Sequence, residues 1–451
     1  MFCYNKTMKI TKNKYLRLAL LFVAAGLAML VIFVVTQGLN IRNINTPEYK
    51  SSVSYPTAPF TLSLWLPSEE KGNLEEVVAD YQKLHPSAKV NIEYIDSAVY
   101  QAKLLEASAS GKLPDMFVFR NDGLPLYKKS IKTAPASVYK ASDFEKVFAE
   151  FTTKQLVSGN NVYGVPLGLA TLGLVYNQDR FDSTNISTPP ASWQDFDTAN
   201  STLRKKDGQV LYASGVALGT ASIRNYPDII SVLMMQNGAQ MTDQPPTKAT
   251  FELPDASGYH SGAKALEYYA SFAQPAKQNY SYSDSLGDSL TALAQNKTAI
   301  IVDYPMAYKL AQKQSPRVNF AVSALPQVNQ SSPVNYGIFL TGAVSAQSQK
   351  SELAWDFWAF ATQKNQQKKF SLSSFWPASR KDLIQEQLKD KDLAAFAKQS
   401  ASAQDWYKGI NYAANAELRE MVSNYLAGFD AKIVVKNASS KVSSEIQKSR
   451  Q

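Results

Sequence analysis

Asn160 to Phe181 reads NNVYGVPLGLATLGLVYNQDRF, two short apolar runs interleaved with Gly164, Gly168 and Gly173. Each run has the length and content of a buried strand. Glycine between such runs marks a place where the backbone bends or is approached closely, because it takes positive φ cheaply and carries no Cβ. The stretch holds no triad, metal cluster or phosphate loop, so its meaning depends on what flanks it.

Upstream, FTLSLWL (Phe60 to Leu66) alternates like a strand, and GNLEEVVADYQKLH (Gly72 to His85) carries the helical stripe Leu74, Val77, Val78, Tyr81, Leu84. KVNIEYI (Lys89 to Ile95), a helix over Ser97 to Ser110 and the apolar MFVF (Met116 to Phe119) follow. Strand, helix, strand, helix, strand at this spacing predicts a parallel sheet wound by helices. Ligands of such sheets sit beyond the carboxyl ends of the strands, which brings forward Trp65 at one mouth and Phe119, Arg120, Asn121 and Asp122 at another.

Downstream, helices are predicted over Trp193 to Leu203, Tyr226 to Gln236 with Asn237 and Gly238 as a left-handed cap, Ala263 to Ala273 and Ser285 to Ala294. KTAIIVDY (Lys297 to Tyr304), NFAVSALP (Asn319 to Pro326) and NYGIFLTGAVS (Asn335 to Ser345) read as strands, and the rest to about Ala431 as mostly helical. No repeat of solenoid or propeller period appears. The picture is two α/β lobes with the chain passing between them more than once.

The 451 residues suffice for two or three domains, and 45% hydrophobic with 19% charged residues fits a folded protein. The net charge of +9 is uneven: residues 1–50 hold seven Lys/Arg against Glu48 alone, and the remainder holds 40 against 37 Asp/Glu, a net of +3. No basic stripe is left for a phosphate backbone, so no nucleic-acid partner is expected. One cysteine, Cys3, and two histidines, His85 and His260, leave neither a disulfide framework nor a His/Cys metal cluster.

Leu18 to Val35 is eighteen apolar or small residues without a charge, about 27 Å of helix against a hydrocarbon core of about 30 Å. Its length and the lack of an A-x-A site favour an uncleaved anchor over a cleaved signal peptide. The predicted order is a cytoplasmic basic segment 1–17, a single-pass transmembrane helix 18–38 in the lipid bilayer and a flexible tether 39–59. The folded part then lies outside the cytoplasm.

Chemistry-bearing motifs are scarce. GxxxxGK[ST], HExxH and G-x-S-x-G are absent, and Ser137-Val138-Tyr139-Lys140 matches S-x-x-K without an accompanying Lys-Thr-Gly. Glu69, Glu70, Glu75 and Glu76 could pair as glycosidase carboxylates, yet they stand where acids favour a helix start. No enzyme activity, cofactor or metal is expected. Aromatics make up 11% of the chain, several at strand ends or in loops: Trp65, Phe119, Tyr304, Tyr336, Phe375, Trp376, Trp406 and Tyr407. Aromatic rings stack on sugar C–H faces while Asp, Asn and Arg take the hydroxyls, so this mixture suits a carbohydrate.

The order of segments resembles the family 1 extracellular solute-binding proteins of ABC importers, the maltose-binding-protein-like group. The resemblance runs from about Phe60 to Gly428 through LWLP, GKLPDMFVF, VYGVPLGLATLGLVYNQDRF, PPASWQDF, ISVLMMQNGAQM, ALAQNKTAIIVDY, FAVSALP, GAVSAQSQKSELAWDFWAFAT and FWPASRKDL. It implies an α/β, two-lobed periplasmic-binding-protein type II fold with a hinge, its lobes closing on a ligand. Lobe 1 would be 60–170 plus about 340–395, lobe 2 171–335 plus about 396–435, and 436–451 a polar tail.

Carried over by position, the resemblance implies ligand contacts from Trp65, Glu70, Lys71, Phe119, Arg120, Asn121, Asp122, Ala170, Thr171, Asn237, Asp303, Tyr304, Met306, Tyr336, Gly337, Trp376, Trp406 and Tyr407. Gly168, Ala170 and Gly337 would form the hinge, with Gly168 giving the bend and Gly173 permitting close approach. Ala170 stands where family members often have an acid, and Met306 where sugar binders often have an aromatic. The implied function is a membrane-anchored binder of a sugar or oligosaccharide that delivers it to permease subunits. Other readings left open are a surface glycan receptor without a transporter, a binder of another solute such as a glycerol phosphate, and a polysaccharide hydrolase.

Overall fold

Alternation of side chains along Phe60–Pro67 turns Leu62, Leu64 and Leu66 into the core and makes this segment strand β1. β2 (Ala88–Ile95) and β3 (Met116–Arg120) lie parallel to it on either side. The connecting helices are Glu75–Leu84 and Ser97–Ser110. The second of them starts on the Asp96 carboxylate, which accepts from the Ala98 amide, and stops at Gly111 in the left-handed region. The computed structural model describes residue 51 and residues 53–449. The predicted segments 1–17 and 18–38 lie outside these, and no helix among the described residues is long and apolar enough to cross a membrane.

A small hairpin, β4 (Val157–Ser158) with β5 (Asn161–Val162), leads into the opening stretch. There β6 (Val165–Thr171) and β7 (Gly173–Asn177) are separated by Leu172 alone, and every residue of both strands is buried. The remaining strands are β8 (Lys205–Asp207), β9 (Val210–Ala217), β10 (Thr298–Asp303), β11 (Phe320–Ala324), β12 (Asn335–Val344) and β13 (Ala403–Gln404). They form two large sheets: one of order β13-β12-β3-β1-β2 with β6 also on β12, the other of order β11-β7-β10-β9-β8. β6 and β7 therefore belong to different sheets, and the opening stretch is a crossing made in one residue. The chain crosses back between β11 and β12.

The bend expected at Gly168 has a different origin. Gly168 opposes Leu340 while Pro166 opposes Thr341, so Leu167 is the extra residue of a bulge. Gly168 is needed for room: a Cβ there would lie 2.7 Å from the Cβ of Trp376 and 3.1 Å from the Pro377 carbonyl oxygen. Gly173 also serves close approach, since its Cβ would sit 2.5 Å from the Phe396 ring and 2.7 Å from the Ser323 carbonyl oxygen. Ala170 and Gly337 are paired within the β6–β12 ladder, where Ala170 opposes Ile338 and Gly337 opposes Thr171.

Three other sequence expectations are corrected. Residues 436–451 were expected as a polar tail, but Ala431–Lys448 is a helix whose stripe Val434, Val435, Ala438, Val442, Ile446 is buried. It packs on helices Asn411–Leu426 and Ser261–Ser271. The expected tether ends before residue 59, because Tyr55 stacks on His85 at 4.1 Å and bonds the Tyr81 hydroxyl and Asp356. The first sheet also reaches beyond its expected limits, with Asn335 and Tyr336 pairing to Ala403 and Gln404. Strand β9 went unread because it is exposed at its start and holds Ser214 and Gly215 among its buried residues.

Candidate functional site

Strand β3 ends in a short 3-10 turn, Asn121–Gly123, all three residues buried. Asn121 ties the turn to the crossing strand: its carbonyl accepts from the Phe339 amide at 2.9 Å, and its amide donates to Asp405 and to Gln155 at 3.4 Å. Gln155 donates in turn to the other Asp405 oxygen at 3.2 Å. From the second-sheet side comes Asp228, in the first turn of helix Tyr226–Gln236. Its carboxylate accepts from Arg120 at 3.1 Å, from the Tyr304 hydroxyl at 2.9 Å and from Lys408 at 3.3 Å. Arg120 also meets Asp122 at 3.3 Å. Lys408 stands 5.7 Å from the ring centroids of both Trp406 and Tyr336. An ion network thus joins the end of the first sheet to the second across the cleft between them.

Of the cavities that adjoin this network, two have Asp122 in their wall. The larger, about 640 Å³, is walled by Asn121, Gln155, Met235, Met241, Trp406 and Tyr407 among others. The smaller, about 410 Å³, is walled by Tyr100, Phe119, Tyr127, Asn411, Tyr412 and Asn415 among others. Both fall within the usual range for small-molecule sites, and both combine aromatic faces with amides and carboxylates.

Electrostatics in the cleft differ group by group. Burial alone would raise Asp228, but Arg120 and Lys408, helped by the Tyr304 hydroxyl, hold it below the ordinary carboxylate value. Asp405 is pushed up to about 7 by burial and by Asp122 beside it, despite its donors Asn121 and Gln155. Asp303 is pushed up to about 6 by burial, with Arg224 opposing.

The structure gathers Phe119, Arg120, Asn121, Asp122, Tyr304, Tyr336 and Trp406 around this cleft. Asp303 lies next to them, its carboxylate held by Asn225 at 2.7 Å and by its own neighbour's amide, that of Tyr304, at 2.6 Å. The others are placed elsewhere. Trp65 alternates to the face opposite the core leucines and lies under Lys103, 4.7 Å from its ring centroid. Thr171 is buried and its hydroxyl is held by Gln399 at 2.9 Å. Asn237 closes its helix and donates to the Ser261 carbonyl at 2.9 Å. Trp376 is buried against Gly168 and donates its indole N–H to Glu70 at 3.1 Å.

Reading the sequence missed Asp228, Lys408, Asp405, Gln155, Tyr127, Asn411 and Asn415. Asp228 in NYPDIISVLMM reads as an acid complementing a helix dipole. The one available signal was Lys408 beside Trp406 and Tyr407, a charge next to two aromatics already singled out.

Glu70 offers a test of the Trp376 pocket. Burial pushes its carboxyl from 4.5 up to about 7, against the donors Asn73 and Trp376. A carboxyl whose folded value is raised binds its proton more tightly when folded. Its stabilisation is complete below the unfolded value and is lost as pH rises through the folded one. Wild-type stability against urea is expected to fall between pH 5 and 7 by an amount that Glu70→Gln reduces; an identical slope in the variant refutes this assignment.

Residues 76–397 match the family described as bacterial extracellular solute-binding protein. A binding protein of Brucella abortus (strain 2308) is 21% identical over 388 residues, covering 83% of this chain and 90% of the relative. A solute-binding protein from Thermotoga lettingae, bound with α-D-tagatose, is 17% identical with a TM-score of 0.68, covering 86% of this chain and 99% of that one. An ABC substrate-binding protein of Listeria monocytogenes, in complex with cycloalternan, is 17% identical with a TM-score of 0.71, covering 86% of this chain and 98% of that one. At these identities the structural likeness establishes a shared fold, the two-lobed α/β architecture described above.

Proposed function

Since the chain belongs to the bacterial extracellular solute-binding proteins, a family of binding proteins rather than enzymes, we propose that it captures a sugar or oligosaccharide between its two lobes. It hands this ligand to the permease of an ABC importer while residues 18–38 hold it at the membrane. The lobes in this proposal are 60–171 with 335–404, and 173–334 with the helices after residue 410. The folded part is extracytoplasmic, as the family's description implies.

The observation that carries the reading is the larger cavity, whose wall combines Trp406 and Tyr407 with the amides and carboxylates of Asn121, Gln155, Asp122 and Asp405. Such a wall offers C–H stacking and hydroxyl hydrogen bonds together. The tagatose and cycloalternan bound by two proteins of the same fold support a carbohydrate. Met235 and Met241 reach this cavity from the second-sheet side, so a ligand there touches both lobes. Only a ligand with that differential contact can shift the lobes toward closure.

Micromolar binding, about 8 kcal/mol, is enough for capture. The test is calorimetry with a saccharide panel on wild type and Trp406→Ala. The variant is expected to bind roughly tenfold more weakly, a loss of about 1.4 kcal/mol. Unchanged affinity removes Trp406 from the site, and a panel in which nothing binds removes the carbohydrate reading.

A further inference from the structure

Another cavity adjoins the ion network on the second-sheet side. It measures about 400 Å³, and its wall includes Arg120, Ser222, Arg224, Tyr226, Asn415 and Arg419. It shares Arg120 and Asn415 with the cavity beside Phe119. Three guanidinium groups line it against one carboxylate, that of Asp228. The turn that forms one side is fixed from behind. Asn225 takes the left-handed region at φ 55° and donates its side-chain amide to Asp303 at 2.7 Å. Arg224 places its Nε 3.4 Å from the other Asp303 oxygen, and its backbone amide donates to the Ser289 hydroxyl at 3.1 Å. The opposite side is the helix Asn411–Leu426, on which Asn415 and Arg419 stand one turn apart and face the same way.

Ion pairs account for the other cations nearby: Arg120 with Asp122 and Asp228, Lys408 with Asp228, and Arg224 with Asp303. Arg419 has none among the described residues. Its guanidinium donates to the Ala221 carbonyl at 2.9 Å and lies 5.1 Å from the Tyr226 ring centroid, which fixes it over the turn without neutralising it. Asp228 does not cancel the surplus, because its side chain is 5% exposed and its carboxylate already accepts from Arg120, Lys408 and the Tyr304 hydroxyl. Arg224 is 40% exposed and meets its carboxylate through Nε alone, so its terminal nitrogens face outward to a guest. The helix Tyr226–Gln236 begins at this wall, and the positive end of its dipole adds to the field. Guanidinium groups donate and never accept, and their planar fork matches carboxylate, sulfate and phosphate oxygens.

We infer that this cavity holds an anionic group of the solute, a carboxylate, sulfate or phosphate, through Arg224 and Arg419. The inference rests on the carbohydrate reading and narrows it: the solute is an acidic saccharide, with its charged end at the two arginines and its uncharged part toward Trp406.

The test is calorimetry on the full chain with two pairs of probes, tetragalacturonate against its methyl ester and glucose 6-phosphate against glucose, and with glycerol 3-phosphate and inorganic phosphate alone. In at least one pair the acidic sugar is expected to bind roughly tenfold or more tightly than its uncharged counterpart. That advantage should shrink as NaCl rises from about 0.05 to about 0.5 M. Arg224→Gln with Arg419→Gln together should abolish the advantage and leave the uncharged counterpart bound as by wild type. Arg224→Lys with Arg419→Lys, which keeps the charge and loses the fork, should retain part of it. Trp406→Ala should weaken both members of the pair. A smaller advantage, or one that survives the double Gln variant, overturns the anion site and leaves the carbohydrate reading intact. Glycerol 3-phosphate or inorganic phosphate bound through the two arginines, with no sugar bound, upholds the anion site and overturns the acidic saccharide. Absence of binding by every probe overturns the inference together with the carbohydrate reading.

Discussion

Asp228→Ala is expected to lose about 3–5 kcal/mol of stability, the cost of removing one partner from a buried ion pair. The aspartate side chain is 5% exposed and that of Lys408 1%, so the lysine left behind has no water to turn to. Its other hydrogen-bond contact is the Tyr336 hydroxyl at 3.5 Å, which carries no charge. Arg120 retains Asp122, while the buried lysine keeps no ion-pair partner among the described residues and only Asp405 as a further acid nearby, a carboxyl that burial pushes up to about 7. Urea unfolding measures the effect, and Asp228→Ala with Lys408→Met together should recover much of it, because the stranded charge is then gone. A single-variant loss below about 1 kcal/mol, the scale of an exposed pair, shows that the network does not form in solution. The same carboxylate sets an acid limit. Held below its ordinary value when folded, it stabilises the protein above the unfolded value and loses that contribution as pH falls through the folded one.

Trp376→Ala is expected to cost about 3–5 kcal/mol of stability, the range for emptying a buried tryptophan site. The side chain is 5% exposed and occupies the space that Gly168 leaves open. Its indole N–H is one of two side-chain donors to Glu70, the other being Asn73 at 2.8 Å. The resemblance places Trp376 among the ligand contacts, whereas the structure packs it against Gly168. Denaturant unfolding separates the two: a lowered midpoint at constant slope marks a core residue. A variant that stays stable and loses ligand affinity instead returns Trp376 to the binding surface.

The two tryptophans show why the site was partly legible. Trp376 and Trp406 both lie in loops, stand beside polar residues and are 5% exposed. Trp406 lines a cavity, while Trp376 fills a gap beside the crossing. That difference depends on Gly168, some two hundred residues earlier in the chain, and no local pattern carries it. Trp65 was misplaced for a different reason. Its position at the end of β1 was right, but the pleat turns it to the face under Lys103.

Local chemistry by itself determined most of the strands and helices, β9 and the last helix excepted. Burial patterns of period 2 and 3.6 are properties of short segments, so the stretch from Asn160 to Phe181 announced two buried strands with a break between them. No local pattern within the stretch assigns those strands to separate sheets, a division that the resemblance alone implied, and the bulge at Leu167 that bends the first is visible only in the fold. The pairing of Arg120 with Asp228, 108 residues apart, and of Lys408 with Asp228, 180 residues apart, was likewise decided by tertiary structure. Desolvation and ion pairing depend on which side chains share a cavity, and that is set by how the two sheets meet.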